Sequence, residues 1–171
     1  MSHPDAGHLI VAAALSAVLV WAAISDIMAR RIPNKAVLGV LGLYVIWAAF
    51  GVEGGIVSAF AAAGIGFAIG YGLYFFNVVG AGDVKLFAAT ALFTGLSHLP
   101  LFALATVLSG GAIASVSLAT RPRRAAVMFA LRGKGDFGRG IPYGVAIAFG
   151  GAVVIWGAPF NALPTSLGSG G

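Results

Sequence analysis

"VVGAGDVKLFAAT" (residues 78–90) interrupts a chain that is otherwise almost continuously apolar. Two glycines bracket an alanine, and Asp83 and Lys85 follow at once. An ionisable side chain in or beside lipid is costly, so such a residue reads first as a functional site. Composition says that lipid is the surrounding medium. Of 171 residues, 60% are hydrophobic and 9% charged, against about 25% charged in a soluble domain. This is the composition of an integral membrane protein, and the length suits one domain. The 26 glycines are scattered through apolar segments without a period, which fits close helix packing rather than collagen or low-complexity sequence. The absence of cysteine excludes disulfides, thiolate zinc sites and a cysteine nucleophile. The net charge of +5 suits loops beside anionic lipid. It does not argue for nucleic acid, since no soluble module is present to hold it.

Six apolar segments flank this stretch, at residues 9–25, 36–52, 56–79, 84–96, 99–119 and 141–160. Together they predict an all-α membrane protein of six transmembrane helices, with a glycine-rich loop opening the fourth. A spanning helix needs about 17 to 25 residues, and five of the six qualify. The fourth, with 13 residues, reaches only about 20 Å at 1.5 Å per residue. It therefore begins below the membrane surface, just after Gly80-Ala81-Gly82. Non-helical backbone at that depth survives only against protein or a wet cavity, so the loop is expected to line a cavity. The first segment reads as a retained helix rather than a signal peptide, because no Lys or Arg precedes it. Residues 1–160 are expected to form a single domain and 161–171 a flexible tail.

Positive charge orients the bundle. Arg30, Arg31 and Lys35 lie between the first two segments, Lys85 lies beside the glycines, and six more lie between 120 and 140. These three regions hold all 10 Lys and Arg residues. The positive-inside rule puts them in the cytoplasm and both termini outside.

Of the five acidic residues, Asp5, Glu53 and Asp136 read as solvated loop charges. Asp26 and Asp83 differ. Each abuts an apolar helix at the same boundary of the membrane. Singly, Asp26 is explained as an interfacial charge offset by Arg30, and Asp83 as a helix N-terminal cap. As a pair they suggest chemistry, because two carboxylates in a low-dielectric site do not both ionise readily and one keeps a proton. The charged member can take a proton from water while the neutral one donates to a scissile carbonyl. In this picture Gly80 and Gly82 let the backbone turn sharply and a substrate strand pass close to Asp83.

Three stretches now carry a family resemblance. "GAGDVKL" (80–86) resembles the GxGD signature of intramembrane aspartyl proteases, in the form used by type IV prepilin peptidases. "SDIMARRIPN" (25–34) resembles the first-aspartate region of that family, and "IPYGVAIAFGG" (141–151) resembles the opening of its last helix. The resemblance implies removal of the short leader of prepilins at the cytoplasmic face of a bacterial inner membrane, with Asp26 and Asp83 as the catalytic pair and no cofactor. The chain looks most like the short CpaA/TadV-like branch serving Flp-type (tight-adherence) pili. Longer members carry paired CxxC zinc motifs in an N-terminal domain and also methylate the product. Here only eight residues precede the first segment and cysteine is absent, so N-methyltransferase activity is not expected. The implied partners are a prepilin with an apolar N-terminal helix and membrane lipid.

Other residues weigh less. Lys85 points about 160° away from Asp83 around a helix; it either biases the local field or snorkels to lipid phosphate. Asn34 and Asn77 flank the proposed site, as substrate or carboxylate contacts or as helix ends. Ala62, Gly66 and Gly70 form a small-residue packing face. His98 lies in an expected outer turn at 97–100, far from the aspartates, and no metal site is predicted. Two alternatives stand beside the prepilin peptidase. One is a presenilin- or signal-peptide-peptidase-like protease, against which the Pro-Ala-Leu motif is missing. The other is a small transporter or pilus-assembly scaffold, against which no internal repeat is visible.

Overall fold

A computed structural model of the chain describes residues 6–51, 55–119 and 143–157. Within them the chain is all-helical: α1 (Ala6–Ala29), α2 (Asn34–Ala49), α3 (Gly55–Phe75), α4 (Ala81–Ala119) and α5 (Tyr143–Gly157). Three stretches, Ala6–Ala29, Gly55–Phe75 and Ala81–Val116, are long and apolar enough to cross a membrane, while α2 and α5 are shorter apolar helices. Asp5, Glu53, Asp136, Pro142, the tail and the six basic residues between 120 and 140 lie outside the described residues.

The expected fourth and fifth segments form one element, α4, which is broken at Gly95 (φ 59°, ψ −178°). Only glycine adopts that conformation readily. The break reverses the chain. Phe87 and Phe102 would lie about 22 Å apart along a straight helix, yet their rings stack with centroids 4.5 Å apart. The expected outer turn at 97–100 is helical, and the reversal falls just before it. The second arm begins with an orphan amide, which α3 satisfies: Leu96 N–H donates to Ser58 Oγ at 2.9 Å.

α4 packs on α2, α3 and α5, and α1 packs on α2 and α5, so α1 and α4 are joined largely through intermediaries. The shared core is built by Leu15 and Leu19 of α1, Val40 of α2, Leu86 and Phe102 of α4, and Ile147 of α5. Thr90 and Thr94, inside this apolar body, bond back to their own helix: Thr90 Oγ1 donates to the Leu86 carbonyl and Thr94 Oγ1 to the Ala91 carbonyl, both at 2.9 Å. Trp156 Nε1 of α5 donates to Ser16 Oγ of α1 at 3.0 Å.

The small-residue face of α3 performs its expected role. A Cβ on Gly66 would lie 2.9 Å from the Phe87 ring, and one on Gly70 would lie 3.0 Å from Val84. Between apolar helices in lipid the attraction is mainly van der Waals contact, so close approach matters more than burial. Gly66→Val is therefore expected to cost about 1–3 kcal/mol through overpacking. Thermal unfolding in detergent measures it; an unchanged midpoint would mean that α3 does not depend on this contact.

Candidate active site

α1 carries Asp26 in its last turn, with 7% of its surface exposed. The helix closes on Arg30, which takes a left-handed conformation (φ 51°) and donates its N–H to the Asp26 carbonyl at 2.8 Å. This is a left-handed helix cap built on a residue other than glycine, at a cost of about 1 kcal/mol. Ser25 Oγ donates to the Arg31 carbonyl at 3.1 Å and ties the loop back. Extended Pro33 (φ −68°, ψ 137°) then serves as the N-cap of α2.

The glycine motif is only half loop. Helical structure begins at Ala81, because Gly80 acts as the N-cap: its carbonyl accepts from Val84 N–H (3.2 Å). Its own N–H donates to Asp83 Oδ2 at 3.0 Å. This is the return half of a capping box, with the carboxylate three residues into the helix reaching back to the N-cap amide. Burying the first turn without such a partner would leave that donor unsatisfied. The expected non-helical loop through Gly82 is therefore shorter, and Ala81 and Gly82 belong to α4.

Gly82 also meets the loop after α1. A Cβ there would lie 3.2 Å from Ile32 Cβ and 3.6 Å from the Ile32 carbonyl oxygen. The room left by the missing side chain is occupied by the loop between α1 and α2. That contact draws the segment after Asp26 onto the turn that holds Asp83, and the two carboxylates lie within reach of each other's charge.

α5 closes the site from the other side. Gly144 N–H donates to Asp26 Oδ2 at 2.8 Å in a buried contact, and Tyr143 lies within electrostatic reach of Asp83. Each carboxylate is thus held through Oδ2 by one glycine amide, and the charge of Arg30 acts on Asp26. Such a pair can take a proton from water with one member and donate to a carbonyl oxygen with the other.

The supporting residues fare unequally. Gly80 and Gly82 lie at the site as described. Asn77 takes a left-handed conformation (φ 59°) and ends α3. Its N–H donates to the Tyr74 carbonyl, and Val78 N–H to the Leu73 carbonyl, both at 2.9 Å. This two-bond helix end is the helix-end reading of Asn77. Asn34 is exposed in the first turn of α2, and Lys85 is exposed on α4. Among the described residues neither asparagine side chain bonds a carboxylate. Gly144, Tyr143 and Ile32 were not singled out from sequence. The signal for the first two was present in Pro-Tyr-Gly at the start of the last apolar segment.

Comparison with protein families matches residues 13–115 to the model of the type IV leader peptidase family. The matched stretch contains both Asp26 and Asp83 and ends before α5. Neither the comparison with curated proteins nor that with solved structures gives a match. With the family match spanning more than half of its length, this chain belongs to the type IV leader peptidase family.

Proposed function

We propose that the protein is an aspartic prepilin peptidase that cuts the leader from Flp-type prepilins at the cytoplasmic boundary of the inner membrane. Asp26 and Asp83 are its catalytic pair. One, ionised, takes a proton from the attacking water; the other, protonated, donates to the scissile carbonyl oxygen as the tetrahedral intermediate forms. The observation that carries this reading is the convergence of two carboxylates from separate helices, each held by a glycine amide, in a chain of the leader peptidase family.

The reversal at Gly95 favours counting the arms of α4 as two crossings, which makes six in all. With every Lys and Arg assigned to the inner side, both termini fall outside. A prepilin offers an apolar helix to the membrane and a polar leader to the cytoplasm, so its scissile bond meets the aspartates at the depth where the charges lie.

Incubating the purified protein in detergent with a Flp-type prepilin is expected to release leader and mature pilin as two bands on a gel. Absence of cleavage, with the protein folded, would favour a transporter or scaffold. Two carboxylates and water suffice for the chemistry, so chelation is expected to leave the rate within twofold and S-adenosylmethionine to methylate nothing. Loss of activity on chelation and its return with zinc would overturn the cofactor-free mechanism.

A further inference from the structure

We infer that Gly144 is a positioning residue for Asp26, and that the first turn of α5 sets the register between the two carboxylates. This rests on the aspartic-peptidase reading above and extends it to a helix that the family match does not cover.

Both α1 and α4 pack on α5, so the spacing of Asp26 and Asp83 depends on that helix as well as on the contact between Ile32 and Gly82. α5 meets both sides of the site with consecutive residues. Gly144 N–H holds Asp26 Oδ2 at 2.8 Å, and Tyr143 lies within electrostatic reach of Asp83. The amide belongs to the first turn of α5, where backbone N–H groups lack helical partners and favour a negative group. Asp26 thus completes a helix distant in sequence, and that helix in turn fixes the direction of one carboxylate oxygen.

Position 144 has no room for a side chain. A Cβ there would lie 3.0 Å from Asp26 Cβ, 3.0 Å from Oδ2 and 3.3 Å from Cγ. All three of these atoms belong to the aspartate. Two turns later on the same helix, Gly151 provides a matched control. Its Cβ would lie 3.0 Å from Leu19 of α1 and 3.1 Å from Thr90 of α4. Alanine at either position brings a Cβ within about 3 Å of its neighbours, but at 151 it meets terminal methyl groups and only at 144 does it push on a carboxylate. A displacement of about 1 Å at a reacting group costs about 100-fold in rate.

The test compares Gly144→Ala with Gly151→Ala for thermal midpoint, kcat, KM and the pH profile of prepilin cleavage. Gly151→Ala is expected to lose no more stability than Gly144→Ala. Gly144→Ala is expected to lower kcat about 10- to 100-fold, with KM within twofold and the acidic limb of the profile moved. Gly151→Ala should keep the wild-type profile and a kcat within threefold. Equal losses of kcat with unmoved profiles would reduce Gly144 to a packing residue and overturn the inference. If Gly144→Ala does not fold, it is combined with Asp26→Gly, which removes the Cβ, Cγ and Oδ2 that the new side chain meets. Recovery of folding locates the clash at the carboxylate and supports the inference, whereas continued failure overturns it. Activity in Asp26→Asn would instead remove the aspartic-peptidase reading itself, which Gly144→Ala leaves untouched.

Discussion

Asp26→Asn and Asp83→Asn are each expected to lower leader cleavage by on the order of 10³-fold or more, and the double variant to be hardly worse than either. Groups that share one proton and one water act as a unit, and units are strongly non-additive. The structure allows this test to separate chemistry from folding. Asp26 Oδ2 accepts from Gly144 N–H and Asp83 Oδ2 from Gly80 N–H; an asparagine carbonyl oxygen can accept the same bond without the charge assistance, and loss of one carboxylate relieves repulsion between the pair. Both caps survive, so the thermal midpoint should hold. Alanine removes the acceptor, and each Asp→Ala variant should lose about 1 kcal/mol besides its activity. If Asp83 served only as a helix cap, Asp83→Asn would keep most of its cleavage and Asp83→Ala would fail chiefly in stability. Robust cleavage by either well-folded asparagine variant would end the assignment of the pair.

The capping role and the proposed catalytic role of Asp83 do not compete. A general acid or base needs a fixed carboxylate, and a single charge-assisted bond from Gly80 N–H supplies fixation through one oxygen. The same holds for Asp26 and α5. Each aspartate therefore contributes to folding through the bond its Oδ2 accepts, while the proposed chemistry needs a carboxyl group that can gain and lose a proton. Asparagine and alanine variants consequently report on different properties.

Asp26 and Asp83 are legible from sequence because charge is so rare in this chain that each exception needs a reason. The small face on α3 is legible because helical periodicity needs no knowledge of the partner; Gly66 and Gly70 meet Phe87 and Val84 whichever helix supplies them. Gly95 was missed because hydropathy runs on through both arms of α4, and one glycine among 26 carries no mark of its conformation. The helical start at Ala81 was missed for a related reason. A glycine motif suggests a loop, while the bond from Gly80 N–H to Asp83 that starts the helix is a matter of side-chain direction. Contacts between distant segments are hardest to read. Gly144 reaches Asp26 across 118 residues, and no local pattern records which carboxylate an amide will meet.

Gly82→Val is expected to reduce cleavage about 100-fold while leaving the fold intact, and Ile32→Gly in the same chain should restore at least tenfold of it. Position 82 lies in the first turn of α4 and outside the set of positive-φ residues, so a side chain there imposes no backbone strain. Replacing a helical glycine with alanine alone would even favour the helix by up to about 1 kcal/mol. The obstacle is Ile32, whose Cβ lies 3.2 Å from where a Cβ on residue 82 would stand. Valine must push the α1–α2 loop away from α4, and Asp26 lies only six residues before Ile32. A shift of about 1 Å between the carboxylates is enough for the predicted loss. Ile32→Gly removes the Cβ that a side chain at 82 meets first and the three carbons beyond it, which offsets the three that valine adds, and volume-conserving exchanges are the kind that packed interfaces tolerate best. A rival account holds that Gly82 is small so that a substrate strand can pass over it. That account predicts no rescue, because shortening Ile32 would not remove valine from the path of the strand. The measurement is kcat and KM for one prepilin across wild type, both single variants and the double. A double variant no better than Gly82→Val would detach Gly82 from the loop contact and assign its small size to the substrate.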